Sequence, residues 1–198
     1  MVFHQIIRGL PCCAFLCLFA CAARQTAAPV FSPVYITDSA PYSLLPPSDI
    51  ETPLDMAQRI SGAWGEREFI LDAWVQADEA RLSMNFMNSF GADVGELSYR
   101  AAGISLSSAY LPSSLKPEYI VADFQFCFYR AAPLSHALED LGLALSVERR
   151  AASGGGWMEV RVLSEGGKPI AEIEKNKDVI RYTNYLRGYS YTISGDFP

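Results

Sequence analysis

Residues 66–90 read EREFILDAWVQADEARLSMNFMNSF, and their alternation decides the fold class. Phe69, Leu71, Ala73 and Val75 take every second position of the first half, and Leu82, Met84 and Phe86 do so in the second. Ser83 and Asn85 fall between those last three. Side chains two apart share one face of a strand, so each half has one face to bury. Two such runs joined at an Asp-containing turn form part of a meandering antiparallel sheet.

The same texture extends both ways from this stretch. Met56, Gln58, Ile60, Gly62 and Trp64 begin it, and GELSYRAAGISLSSAY (95–110) continues it as two short strands about Ala102-Gly103. In the last third, LALSVERR, WMEVRVLSE, KPIAEIEK, DVIRYTNY and GYSYTISG are five strand-like runs, with turns at 153–156 and 165–167. Between the two groups lies the one helical candidate. Ile120, Phe124, Cys127 and Phe128 are close to helical spacing, whereas Phe124, Phe126 and Phe128 alternate as a strand would, and both readings stay open. Ser135 followed by HALEDLG predicts a short helix closed at Gly142. The expectation is a mainly β, α+β domain of nine or ten antiparallel strands. They would form a curved sheet, an open half-barrel with one or two covering helices.

The N-terminal end has a different character. MVFHQIIR carries one base, Arg8, and no acid; GLPCCAFLCLFA is nearly all apolar; Ala20, Ala22 and Ala23 follow. A positive start, a short apolar core and small residues at the exit make a secretory signal over residues 1–20. An apolar run of this length is short for a membrane-spanning helix. Cys13, Cys17 and Cys21 are spaced four apart, but no His or carboxylate stands among them to complete a metal shell. Leu18-Phe19-Ala20-Cys21 resembles the lipobox of bacterial lipoproteins, which implies cleavage before Cys21 and its acylation. Several acyl chains on one residue make a stable anchor. Cys127 is then the only free thiol, with no partner for a disulfide, and its apolar surroundings predict a core residue. Residues 21–53 hold the lipidated end and a stretch with six of the twelve prolines, read as a tether. The folded domain is expected over 54–198.

Loss of residues 1–20 removes one base and no acid, so 15 Lys+Arg face 22 Asp+Glu and the net charge moves from −6 to −7. No basic cluster is present to neutralise phosphates, which argues against nucleic acid as a partner. Any membrane contact must come from the acyl anchor. Catalytic constellations are scarce. His136, the only histidine after residue 20, adjoins Ser135, and neighbours in sequence cannot form a nucleophile–base pair with a common target. GISLS (103–107) lacks the second glycine of a nucleophile elbow, and SEGGKP (164–169) lacks the spaced first glycine of a P-loop. The sequence therefore predicts no enzyme, no cofactor and no metal. Its other resource is aromatic. Trp64, Trp74, Phe86, Tyr99, Phe124 and Phe128 are either plain core or the lining of an apolar cavity for acyl chains, and sequence does not separate the two.

Four segments carry a resemblance: LLPPSDI (44–50), FMNSFGADVGELSY (86–99), LKPEYIVADFQFCFYR (115–130) and YTNYLRGYSYTIS (182–194). From about Leu45 to Phe197 the chain resembles a family of small Gram-negative lipoproteins described by a domain of unknown function. These are often encoded in aryl-polyene-type biosynthetic clusters and are similar in architecture to LolB, the receptor that accepts lipoproteins from the carrier LolA. The resemblance implies an outer-membrane lipoprotein facing the periplasm that accepts a lipid or lipidated cargo, with a periplasmic carrier as partner. The alternative is a non-enzymatic scaffold of an envelope complex, whose sheet edge recruits a partner. A hollow interior favours the first; a filled core with an exposed strand edge favours the second.

Overall fold

A computed structural model describes residues 31–64, 66–108, 111, 115–152 and 155–198. The signal segment and Cys21 lie outside these residues. In chain order the elements are β1 (Val34–Thr37), β2 (Ala40–Tyr42), a 3-10 turn (Pro47–Asp49), β3 (Leu54–Trp64), β4 (Arg67–Ala77), β5 (Arg81–Met87), β6 (Asp93–Arg100) and β7 (Gly103–Ser107). They continue with α1 (Pro117–Phe128), α2 (Ala131–Glu139), β8 (Leu143–Ala151), β9 (Trp157–Glu165), β10 (Lys168–Lys175), β11 (Val179–Asn184) and β12 (Tyr189–Ser194).

Each sequence run became a strand because alternation lets a half-buried ribbon bury one face. β3–β7 form one meander and β8–β12 a second. They join where β12 pairs with β3, from Tyr189 opposite Trp64 to Ser194 opposite Arg59. The result is a ten-stranded antiparallel sheet in the order β7-β6-β5-β4-β3-β12-β11-β10-β9-β8. At the seam, Gly62 faces Tyr191, and a methyl group there would lie 2.6 Å from the Ser190 carbonyl oxygen. Only glycine permits that approach.

The expected half-barrel is corrected. The sheet ends at two open edges, β7 and β8, and is neither closed nor strongly curled. Tight curvature needs repeated bulges or glycine kinks. Within this sheet, among the described residues, the register slips only at Phe86/Met87 and Pro169/Ala171. The inner face is covered rather than wrapped. Ala73 and Val75, Leu82, Met84 and Phe86, Leu97 and Tyr99, and Ile173, Ile180, Tyr182 and Ile193 belong to one buried cluster with α1.

The ambiguous run at 120–128 is helical. Pro117 opens α1 at a position where its missing N–H costs nothing. Phe124, Phe126 and Phe128 are all buried, although no single helix face holds the three. The reason is that α1 is covered on more than one side: Phe126 meets the ring of Tyr42 on β2, and Phe128 meets Phe197 beyond β12. From Phe31 onward the proline-rich stretch is built into the fold. Phe31 packs on Tyr99, and Tyr42 is fully buried. α2 begins at Ala131, four residues before Ser135, and Gly142 follows it with a positive φ.

Candidate functional site

Polar groups hold α1 to its surroundings: Asp123 is half-buried, and Arg161 and Gln125 are fully buried. The first is Asp123, in the middle of α1. Tyr182 and Tyr191 stand opposite each other in the β11–β12 ladder, and Tyr189 lies two residues from Tyr191, so all three rings face inward. The rings of Tyr182 and Tyr191 are stacked at 4.9 Å, and those of Tyr182 and Tyr189 at 5.8 Å. The Tyr189 hydroxyl lies 3.1 Å from Asp123 Oδ1 and 2.9 Å from Oδ2. Burial pushes the Asp123 carboxyl up to about 7, while hydrogen bonds from Tyr189, Tyr182 and Tyr191 and the charge of Arg187 pull it back. Burial likewise raises Tyr182 and Tyr191, with Asp123 adding to both.

Asp123 keeps part of its surface open to a cleft of about 20 Å³, lined also by Val34, Ile36, Tyr119, Phe126 and Arg187. That is room for about one water molecule. At its mouth the Arg187 guanidinium lies 5.5 Å from the centre of the Tyr119 ring and donates to the Tyr35 carbonyl. Cys127, one turn on from Asp123, is fully buried, and burial raises its thiol to about 12, so it is no nucleophile at neutral pH.

The second group is Arg161 of β9, only 1% exposed. Its Nη1 donates to the carbonyls of Phe126 (3.2 Å) and Tyr129 (2.6 Å), which the end of α1 leaves without helical partners. Nε reaches Glu159 at 2.7 Å and Nη2 reaches Glu51 at 3.0 Å. Between these groups, Gln125 staples the strap at 44–47 to the helix. Its Oε1 accepts from Tyr42 Oη (2.7 Å) and the Leu45 amide (3.1 Å), and its Nε2 donates to the Leu45 carbonyl at 2.7 Å.

The six aromatics proposed to line a cavity do not share one. Phe86, Tyr99, Phe124 and Phe128 are buried in the common core. Trp74 lies on the opposite face of β4, 43% exposed, and donates from Nε1 to Asp55 Oδ1 at 3.0 Å. Trp64 ends β3, and its side chain lies outside what is described. His136 is exposed on α2. Among the described residues, no group of three or more His, Cys, Asp or Glu side chains could hold a metal. No helix among them is long and apolar enough to cross a membrane. Sequence reading passed over Asp123 and Arg161. The one signal was a single acid and a single base set inside the otherwise apolar runs IVADF and VRVL.

These features define an α+β domain in which one open sheet is covered by a helix pinned to it at Asp123 and Arg161. The chain belongs to the family described as "Protein of unknown function (DUF3261)", whose model matches residues 55–195. No curated protein matches it.

Proposed function

We propose that this is a lipoprotein of the cell envelope, held by acyl chains on Cys21 at the periplasmic face of the outer membrane. Its domain is a non-catalytic binding subunit that recruits a protein partner along a strand edge. One observation carries the reading: the middle of the inner face is filled by α1 and its aromatic layer, and the sheet ends at an uncharged, half-exposed edge at β7, beside a cleft of about 330 Å³ at the start of α1. Exposed strand edges are templates for added strands, with backbone hydrogen bonds supplying affinity. The anchor is tested by Cys21→Ser, which is expected to abolish labelling by a fatty-acid probe and leave unprocessed precursor. Unchanged labelling overturns it. The edge is tested by placing a photoreactive residue at Ser105 or, as control, at Trp74, in cells. A protein adduct specific to Ser105 supports the reading; equal adducts at both sites contradict it.

A second reading has its own observation. Phe90 is 94% exposed at the β5–β6 turn, and Phe69 and Ile70 are exposed near the β3–β4 turn, which the antiparallel register places at the same end of the sheet. Apolar residues at turn tips suit contact with lipid or an apolar cargo. Together with the resemblance to LolB-type lipoproteins, this supports acceptance of a lipid or lipidated cargo from a periplasmic carrier. The cleft at Asp123 has only about 20 Å³ free, whereas the cleft between β7 and the start of α1, lined by Ile104, Leu106, Leu111, Leu115 and Pro117, has about 330 Å³, room for part of an acyl chain. Lipid adducts from a photoreactive residue at Phe90, together with none at Ser105, favour this second reading.

A further inference from the structure

The two edges of the sheet are built differently. β8 carries Glu148, Arg149 and Arg150, all exposed; Arg150 pairs with Glu148 at 3.1 Å and Arg149 lies over the Trp157 ring. Charged side chains on an edge oppose the docking of another strand. β7 has the sequence Gly-Ile-Ser-Leu-Ser, with no charge, no proline and an unbroken register against β6. Ile104 and Leu106 remain half-exposed. Among the described residues, β7 makes no backbone hydrogen bond outside the sheet.

Resting on the partner-binding reading, we propose that the occupant of this edge is β7 of a second copy, paired antiparallel about a two-fold axis at Ser105. The sequence of β7 is complementary to itself under that operation. Ile104 comes opposite the second copy's Leu106, and Leu106 opposite its Ile104, so both half-exposed apolar side chains gain an apolar cross-strand neighbour. Gly103 comes opposite the second copy's Ser107. In the existing ladder Arg100 pairs with Gly103 and Glu96 with Ser107, and both charged residues are exposed on the outer face. The two-fold therefore sets Arg100, Gly103, the second copy's Ser107 and the second copy's Glu96 in one row, and repeats that row at the other end. The two inner residues are small, which leaves the row open for the two long side chains to extend toward each other. A parallel register would set Arg100 against Arg100 and Glu96 against Glu96. Charge order and side-chain size thus select the antiparallel pair.

The test is disulfide trapping of the full-length protein in the cell envelope. Ser105→Cys sits on the axis, where opposed Cα atoms of an antiparallel pair are about 4.5–5.5 Å apart, within the Cα span that a disulfide bridges. Mild oxidation is expected to give a dimer of twice the monomer mass, while Ser146→Cys on β8 gives none. Ile104→Lys added to Ser105→Cys is expected to lower the trapped fraction about tenfold, since it acts twice by symmetry. Ile104→Val is expected to leave it unchanged. The proposal is overturned if Ser105→Cys, with a melting curve like the parent's, traps no more dimer than Ser146→Cys. If Ser105→Cys instead yields an adduct of another mass, the homotypic pair falls and the partner-binding reading stands. If neither dimer nor adduct forms, and the photoreactive residue at Ser105 also captures nothing, both fall.

Discussion

Asp123 and Arg161 hold the same helix to the same sheet by opposite means. Arg161 enters the interior as a cation and meets two carboxylates and two backbone carbonyls, so its charge is compensated where it is buried. Asp123 meets neutral tyrosine hydroxyls, and the nearest countercharge that acts on it, Arg187, is engaged with Tyr35 and Tyr119 at the mouth of the cleft. A buried charge that is matched stays charged; one that is solvated only by hydroxyls is driven toward its neutral form. One contact is therefore a fixed pin, and the other responds to pH near neutrality.

Removing the pin should have the largest effect. Arg161→Ala leaves Glu51 and Glu159 without their shared cation and frees two helix-end carbonyls, so a loss of about 3–5 kcal/mol is expected. Urea unfolding monitored by tryptophan fluorescence measures it; a loss below about 1 kcal/mol would show that water replaces the guanidinium. Next comes the titrating contact. Because the folded Asp123 carboxyl sits at about 7 and an unfolded one near 4, the folded state binds the extra proton between those values. Stability is therefore greatest below about pH 4 with respect to this group, falls as pH rises toward 7, and is level above it. Other carboxylates add their own slopes, so the measurement is the difference between parent and Asp123→Asn. That difference should shift in favour of the variant by on the order of 1–3 kcal/mol between pH 5 and 8. A difference independent of pH contradicts the assignment.

Tyr189→Phe should sharpen the contrast at a smaller cost, about 1 kcal/mol. With a donor to the carboxylate gone, the Asp123 midpoint should move to higher pH, seen in the carboxyl carbon resonance. Trp74→Ala should have the smallest effect, within about 0.5–1 kcal/mol, because its ring is on the exposed face and its partner Asp55 remains solvated.

Much of this architecture was legible in the sequence. Alternation in 66–90 located β4 and β5, and the five C-terminal runs correspond to β8–β12. The position of Trp74 was legible too. It alternates with Ala73 and Val75 and so lies on the face opposite them, a parity that its aromatic character does not override. The nature of α1 was not, because a helix buried on several sides loses its one-sided stripe and three phenylalanines two apart imitate a strand. Nor was the weak curl of the sheet, because alternation marks which face is buried and not where the ladder bulges, and within the sheet it slips only at Phe86/Met87 and Pro169/Ala171 among the described residues. Asp123 stood out only as an acid among apolar residues, and its tyrosines come from strands some sixty residues further on.

The filled interior is the central claim, and native mass spectrometry of the full-length protein in detergent tests it most directly. The account predicts the mass of the chain with the acyl groups proposed on Cys21 and no further lipid, in the parent and in Phe124→Leu alike. A stoichiometric additional lipid on the parent protein that survives collisional release of detergent, and is lost in Phe124→Leu, would contradict it.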